Sequence, residues 1–150
     1  MKAVTLARLG AWLAGVWAGL MAGIGFVAAP VLFAGLPRAD AGRLAARLFS
    51  LDATIGICIG GILAILGLQL GRDRAERGMG SRFGRELVLA LAALLCVVIG
   101  YYALQPMIES ARAGEGSLSF GALHAIASSF FVARLAIVAV LAWLLARPFA

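Results

Sequence analysis

The stretch ATIGICIGGILAILGLQLG, Ala53–Gly71, decides the fold class. It holds no charge, and as a helix rising 1.5 Å per residue it reaches about 28 Å, close to the roughly 30 Å of hydrocarbon in a bilayer. It lacks the period-two alternation of a barrel strand. Working outward, three more such runs appear: Leu9–Pro37, Leu87–Ile108, and Gly116–Ala146, the last broken only by Arg134. Four spans are expected, at about 9–33, 50–71, 86–107 and 120–146. The reading is all-α: a single 150-residue integral membrane domain built as a four-helix bundle. Composition agrees. Only 13% of the residues are charged and 63% are hydrophobic, whereas a soluble domain carries about 25% charge. There is too little polar material to clothe a water-facing globule. Lys2 and Arg8 resemble the start of a secretory signal, but the apolar stretch is too long and Pro30 disfavours cleavage after Ala28 and Ala29. It is read as the first span.

Between the first two spans, Asp40, Arg43 and Arg47 share one helical face, and Ala41, Leu44, Ala45 and Leu48 share the other. This pattern predicts a short interfacial helix. The next connector carries Arg72, Arg74, Arg77, Arg82 and Arg85 among glycines. No strand precedes it and no Gly-Lys-Ser/Thr follows, so it is no phosphate loop. The net charge of +6 is read as membrane topology rather than nucleic-acid binding, since no stacking aromatics are interleaved with the basic residues. Lys2, Arg8, Arg72, Arg74, Arg77, Arg82, Arg85 and Arg147 fall on one side, and Arg38, Arg43, Arg47 and Arg112 on the other. That asymmetry predicts cytoplasmic termini.

In lipid, helices associate by close backbone approach, which small residues permit. Gly15, Gly19 and Gly23 make such a stripe on the first helix. Ala53, Gly56, Gly60, Ala64, Gly67 and Gly71 make one on the second. Both are expected at helix–helix contacts, inside one chain or between two copies.

Polar groups within hydrocarbon need a partner or a purpose. Depth estimates place Asp52, Gln105, Glu109 and His124 near the outer ends of their helices, with Ser128 one turn below His124 and Pro30 at the same level on the first helix. One reading is an outward-facing polar pocket centred on His124, with Asp52 or Glu109 as its charge partner and Ser128 as a donor. The plainer reading puts these groups in the headgroup zone, tying helix ends together. For Asp52 and Glu109 the plainer reading suffices; for His124 with Ser128 the two stand level. Arg134 falls mid-span, where a cation costs most. It must snorkel or pair inside the bundle, with Asp52 a distant candidate and Gln69 and Glu86 near the inner end, and a clamp is the simpler role for it. Cys58 and Cys96 lie near the midplane as small apolar fillers. A soft copper site from Cys58, Cys96 and a methionine would suit the chemistry of thiolates, but no spacing supports it.

Several strings together resemble a known family: GFVAAPVLF at Gly25–Phe33, AGRLAARLF at Ala41–Phe49, LQPM at Leu104–Met107 and FGALHAIAS at Phe120–Ser128. They resemble the bacterial membrane family called domain of unknown function 4149, itself similar to eukaryotic transmembrane protein 205. The resemblance implies a four-helix protein of the bacterial inner membrane without an established activity. The eukaryotic relative's link to platinum-drug resistance implies handling of metals or small molecules. A fainter likeness, to copper-resistance and haem-linked four-helix membrane proteins, implies a haem or copper centre, at odds with the lone His124. Three functions remain open: a binding or export-helping protein, a redox subunit, and an assembly factor packing through the glycine stripes, with a homo-oligomer as one form. No Ser-His-Asp order, zinc spacing or phosphate loop specifies a reaction.

Overall fold

Pro37 starts the longest helix. Its fixed φ suits the position before the first turn, and its carbonyl accepts from the Asp40 and Ala41 amides at 2.9 and 3.0 Å. In the computed structural model, which describes residues 2–147 (Lys2, counted in the charge asymmetry, by its backbone alone), this helix runs unbroken from Arg38 to Glu76. The expected interfacial helix is therefore no separate element: no glycine or proline interrupts the chain between Arg43 and Ala53, and the amphipathic turns continue straight into the apolar run. Asp40 in the first turn favours the helix dipole and pairs with Arg43.

The elements in order are α1 (Lys2–Ala22), a π-helical turn (Gly23–Ala28), α2 (Ala29–Gly35), α3 (Arg38–Glu76), α4 (Arg85–Val97), a second π-helical turn (Val98–Ala103), α5 (Leu104–Arg112) and α6 (Phe120–Ala146). The π turns join their neighbours into continuous rods. Among the described residues there are thus four helices long and apolar enough to cross a membrane, Ala3–Gly35, Arg38–Glu76, Arg85–Arg112 and Phe120–Ala146, and no strand.

Each irregularity has a local cause. Both π turns come just before a proline, Pro30 and Pro106. A proline ring crowds the carbonyl four residues back and offers it no N–H, and a widened turn relieves both problems. The helix ends are closed by glycine: Gly78 and Gly114 take positive φ of 70° and 81°. The amides that follow them, of Met79 and Glu115, reach back to the carbonyls of Arg74 and Ser110, each at 2.9 Å. Ser119 caps α6, its Oγ accepting from the Ala122 amide at 3.2 Å.

The rods alternate in direction. Along α3 and α4, Gly71 approaches Arg82, Gly67 approaches Leu87, Gly60 approaches Leu94 and Gly56 approaches Val97, an antiparallel register. Around the bundle, α1 packs on α3 and α6, and α4 packs on α3 and α6. Thus α3 and α6 are diagonal partners, as are α1 and α4. The core lies along the axis between them: Ala14, Trp17, Met21, Leu63, Leu70, Ala93, Val97, Val138 and Leu141.

Candidate functional site: a charge pair on the bundle axis

Asp52, Gly56 and Gly60 recur every four residues on the inward face of α3, all three buried. A helix built this way carries Asp52 into the core whatever its charge. Opposite, on the diagonal helix α6, Arg134 lies on the buried face with Val138, Leu141 and Leu145. The two side chains meet: Arg134 Nη2 donates to Asp52 Oδ2 across the axis, with Asp52 1% and Arg134 4% exposed. Aromatic rings wall the cation. Arg134 Cζ lies 5.2 Å from the Phe131 ring centre and 5.9 Å from that of Trp17, within range for attraction to the ring faces. Phe49 of α3 meets Phe131 edge-on at 5.4 Å.

Gly56 makes room for this meeting. A methyl group there would lie 3.1 Å from Trp17, 3.3 Å from Val97 and 3.5 Å from Arg134 Nη1. All four rods converge on that one position, through Trp17 of α1, Gly56 of α3, Val97 of α4 and Arg134 of α6.

The pair is held by a single bond. Asp52 Oδ1 and Arg134 Nε, the atoms that would complete a two-pronged carboxylate–guanidinium fork, are buried and meet no hydrogen-bonding protein atom among the described residues, as is the case for Trp17 Nε1. Buried polar atoms almost always find partners, and exceptions ask for a reason.

By sequence, Asp52 falls at a helix end and is only a distant candidate partner for Arg134. The structure instead places it well inside α3, because that helix begins at Arg38 rather than near residue 50. Trp17 was missed altogether. Its signal was present: Ala7, Gly10, Ala14, Trp17, Met21 and Ile24 recur at three- and four-residue steps, and all are buried.

The other expected pocket residues are not gathered here. His124 is exposed on α6 and stacks on Phe120, ring centres 5.7 Å apart, and Arg112 lies over the other ring at 5.1 Å. Ser128 is exposed beside a shallow surface depression. Gln105 Nε2 donates to Glu109 Oε1 at 3.2 Å on the surface of α5. No bond joins His124 to Asp52 or Glu109 among the described residues. A haem or copper centre does not fit the donors: Cys58 is exposed, Cys96 half-buried, and the described residues contain no group of three metal-ligating side chains.

The glycine stripes also part company. Methyl groups on Gly56, Gly60, Gly67 and Gly71 would crowd neighbouring rods or the loop, whereas methyl groups on Gly15, Gly19 and Gly23 would meet no other rod within 4 Å among the described residues. At the end of the bundle that holds the termini, Arg74 Nη2 donates to Glu86 Oε1 at 2.5 Å, tying α3 to α4 beneath the arginine-rich connector.

Residues 12–117 match the family model described as a domain of unknown function, DUF4149, well over half of the chain. The chain belongs to that family. Within the DUF4149 match fall Trp17, Asp52, Gly56 and both π turns; α6, with His124, Ser128 and Arg134, lies beyond its last residue. The charge pair therefore joins the DUF4149 segment to the helix that follows it. No curated protein and no solved structure matches the chain.

Proposed function

We propose that this membrane protein binds a small polar solute, or helps it cross, at the Asp52–Arg134 centre. The observation that carries the reading is the pair itself, two buried charges on the axis of an apolar bundle with three polar atoms beside them unpaired. Ionisable groups at such a depth are expensive, and in membrane proteins they commonly mark solute or proton pathways. The resemblance to transmembrane protein 205 is in keeping with small-molecule handling. The π turns on the two rods flanking α6 add to it, because such turns are frequent at functional sites. A pocket around His124 is the rival.

Thermal unfolding of the detergent-purified protein against a panel of carboxylic acids, amines, phosphate and metal ions separates the two. At least one class is expected to raise the unfolding temperature of wild type and His124→Ala, and to leave Asp52→Leu/Arg134→Met unmoved. A shift that survives in the double variant but vanishes in His124→Ala moves the site to His124. A panel with no effect on wild type overturns the proposal.

The same reading puts the protein in a bacterial inner membrane with both termini in the cytoplasm, supported by the eight-to-four split of basic residues. A reporter fused after Arg77 is expected to be active only as a cytoplasmic form; activity only as an exported form reverses the orientation.

A further inference from the structure

The arginine-rich connector between α3 and α4 is held in one shape. Gly78 and Gly80 turn it at positive φ of 70° and 133°. The Phe83 amide donates to Ser81 Oγ at 3.1 Å, and the Val88 amide to the Gly84 carbonyl at 3.2 Å, so the corner Arg82-Phe83-Gly84-Arg85 leads straight into α4. Arg74 clamps that corner from α3: its Nη2 donates to Glu86, and a methyl group on Gly84 would lie 3.0 Å from its Nη1. Gly71 sits against Arg82, which brings the chain at Arg72 beside the same corner.

The corner presents an apolar ring among cations. Phe83 is 73% exposed and Met79 63%. Arg72, Arg77, Arg82 and Arg85 are exposed and hold no ion pair among the described residues, whereas Arg74 is paired with Glu86. Asp73 and Glu76, in the last turn of α3, are the acids beside them, too few to balance four guanidinium groups.

Depth decides which medium this surface meets. Gly71 ends the uncharged run that begins at Ala53 and so marks the edge of the hydrocarbon. Arg82 lies against Gly71, which places Phe83, the next residue, at that same edge. From Gly71 to the end of α3 at Glu76 the helix climbs about 7.5 Å more, roughly the headgroup layer on one side of a bilayer. On α6 at the same end, Trp143 is exposed with Arg147 Cζ 3.7 Å from its ring centre, an aromatic–cation pair of the kind that marks membrane interfaces. An acyl chain is thus already beside Phe83, with phosphates at the level of the arginines, and a partner from water would have to displace lipid to reach the ring. Guanidinium groups grip phosphate oxygens two at a time, and cations around an aromatic ring at the acyl boundary make an interfacial anchor. A zwitterionic headgroup brings its own cation, which the arginines repel. An anionic headgroup brings none.

We propose that the corner formed by Arg72, Arg82, Phe83 and Arg85 is a binding surface for anionic phospholipids, with the phosphate on the arginines and an acyl chain against Phe83. It is independent of the Asp52–Arg134 centre, and either can fail without the other. The test uses the full-length chain carrying Phe83→Trp, Trp12→Phe and Trp143→Phe. Two indoles then remain, the reporter at position 83 and Trp17, which is buried in the core. The protein is reconstituted in vesicles of equal parts phosphatidylcholine and phosphatidylglycerol, with bromine on the acyl chains of one lipid or of the other. Bromine quenches the indoles it touches, so the two preparations compare the lipids at the reporter in membranes of the same charge. Brominated phosphatidylglycerol is expected to quench more strongly, by roughly twofold or more. The preference should vanish in Arg72→Gln/Arg82→Gln/Arg85→Gln and weaken as salt is raised. Equal quenching by the two lipids overturns the proposal, as does a reporter that neither lipid quenches. A preference that persists in the triple variant removes the arginines from the role. Should that variant not fold, the salt titration decides, and a preference that salt leaves untouched overturns the assignment.

Discussion

Asp52→Leu is expected to destabilise the protein by about 3–5 kcal/mol, and adding Arg134→Met is expected to restore most of that loss. The asymmetry comes from desolvation. With both partners present, each buried charge has a counter-charge across the axis. Removing the carboxylate leaves a guanidinium 4% exposed, enclosed by rings that attract it but cannot neutralise it. Removing both charges leaves apolar side chains of similar volume in an apolar setting, which is often neutral or better. Arg134→Met alone is expected to cost less than Asp52→Leu alone, since Asp52 can take up a proton and shed its charge where arginine cannot. Unfolding in mixed micelles, titrated with an anionic detergent, measures all three variants. A double variant no more stable than Asp52→Leu would show that the pair is not the energetic unit claimed. The comparison also separates stability from function: a double variant that folds well yet binds no solute marks the charges as kept for their chemistry.

The second large effect is expected at Gly67 and Gly71. A methyl group at Gly67 would lie 2.8 Å from the Leu87 amide nitrogen, and one at Gly71 would lie 2.1 Å from the Arg82 carbonyl oxygen. Both obstacles are backbone, so no rotamer change clears them; α4 or its leading loop has to move away. Gly67→Ala and Gly71→Ala are each expected to cost about 1–3 kcal/mol or more, the range for overpacking a close contact. At Gly60 the obstacle is the Leu94 side chain, 2.6 Å away, which can rotate, so Gly60→Ala is expected to cost less. Gly15→Ala and Gly19→Ala meet nothing and are expected to cost the single chain nothing. The same micelle titration ranks the five. Should Gly19→Ala destabilise as much as Gly67→Ala, the outward face of α1 would have to be covered by a second copy.

The contrast between the two stripes shows how much was legible. Both look alike in sequence, as small residues four apart, and that pattern licenses close approach without naming the neighbour. On α3 the stripe coincides with the inward face. On α1 the inward face is instead Ala7, Gly10, Ala14, Trp17 and Met21, and the glycines point away. In a membrane span nearly every residue is apolar on all sides, so the polar–apolar contrast that orients a helix in water is weak. The prolines are similarly half-readable. Pro30 and Pro106 each deprive a carbonyl of its donor, but that a π turn forms before each of them is seen only in the fold.

The sequence by itself determined the medium and the all-helical character of the chain, though not the π turns or the merging of the amphipathic turns into α3. Four long apolar runs, the last broken only by Arg134, have no strand alternation and no way to satisfy their backbone in lipid except as helices, so helix number, order and the cost of a mid-span arginine follow from composition and length alone. Only the tertiary structure decided which charges meet. Asp52 and Arg134 are 82 positions apart, and their pairing depends on the cyclic order of the rods and on the extra turns by which α3 begins before its apolar run. Those are properties of packing, set by where glycine lets backbones touch, and hydropathy along a chain does not register them.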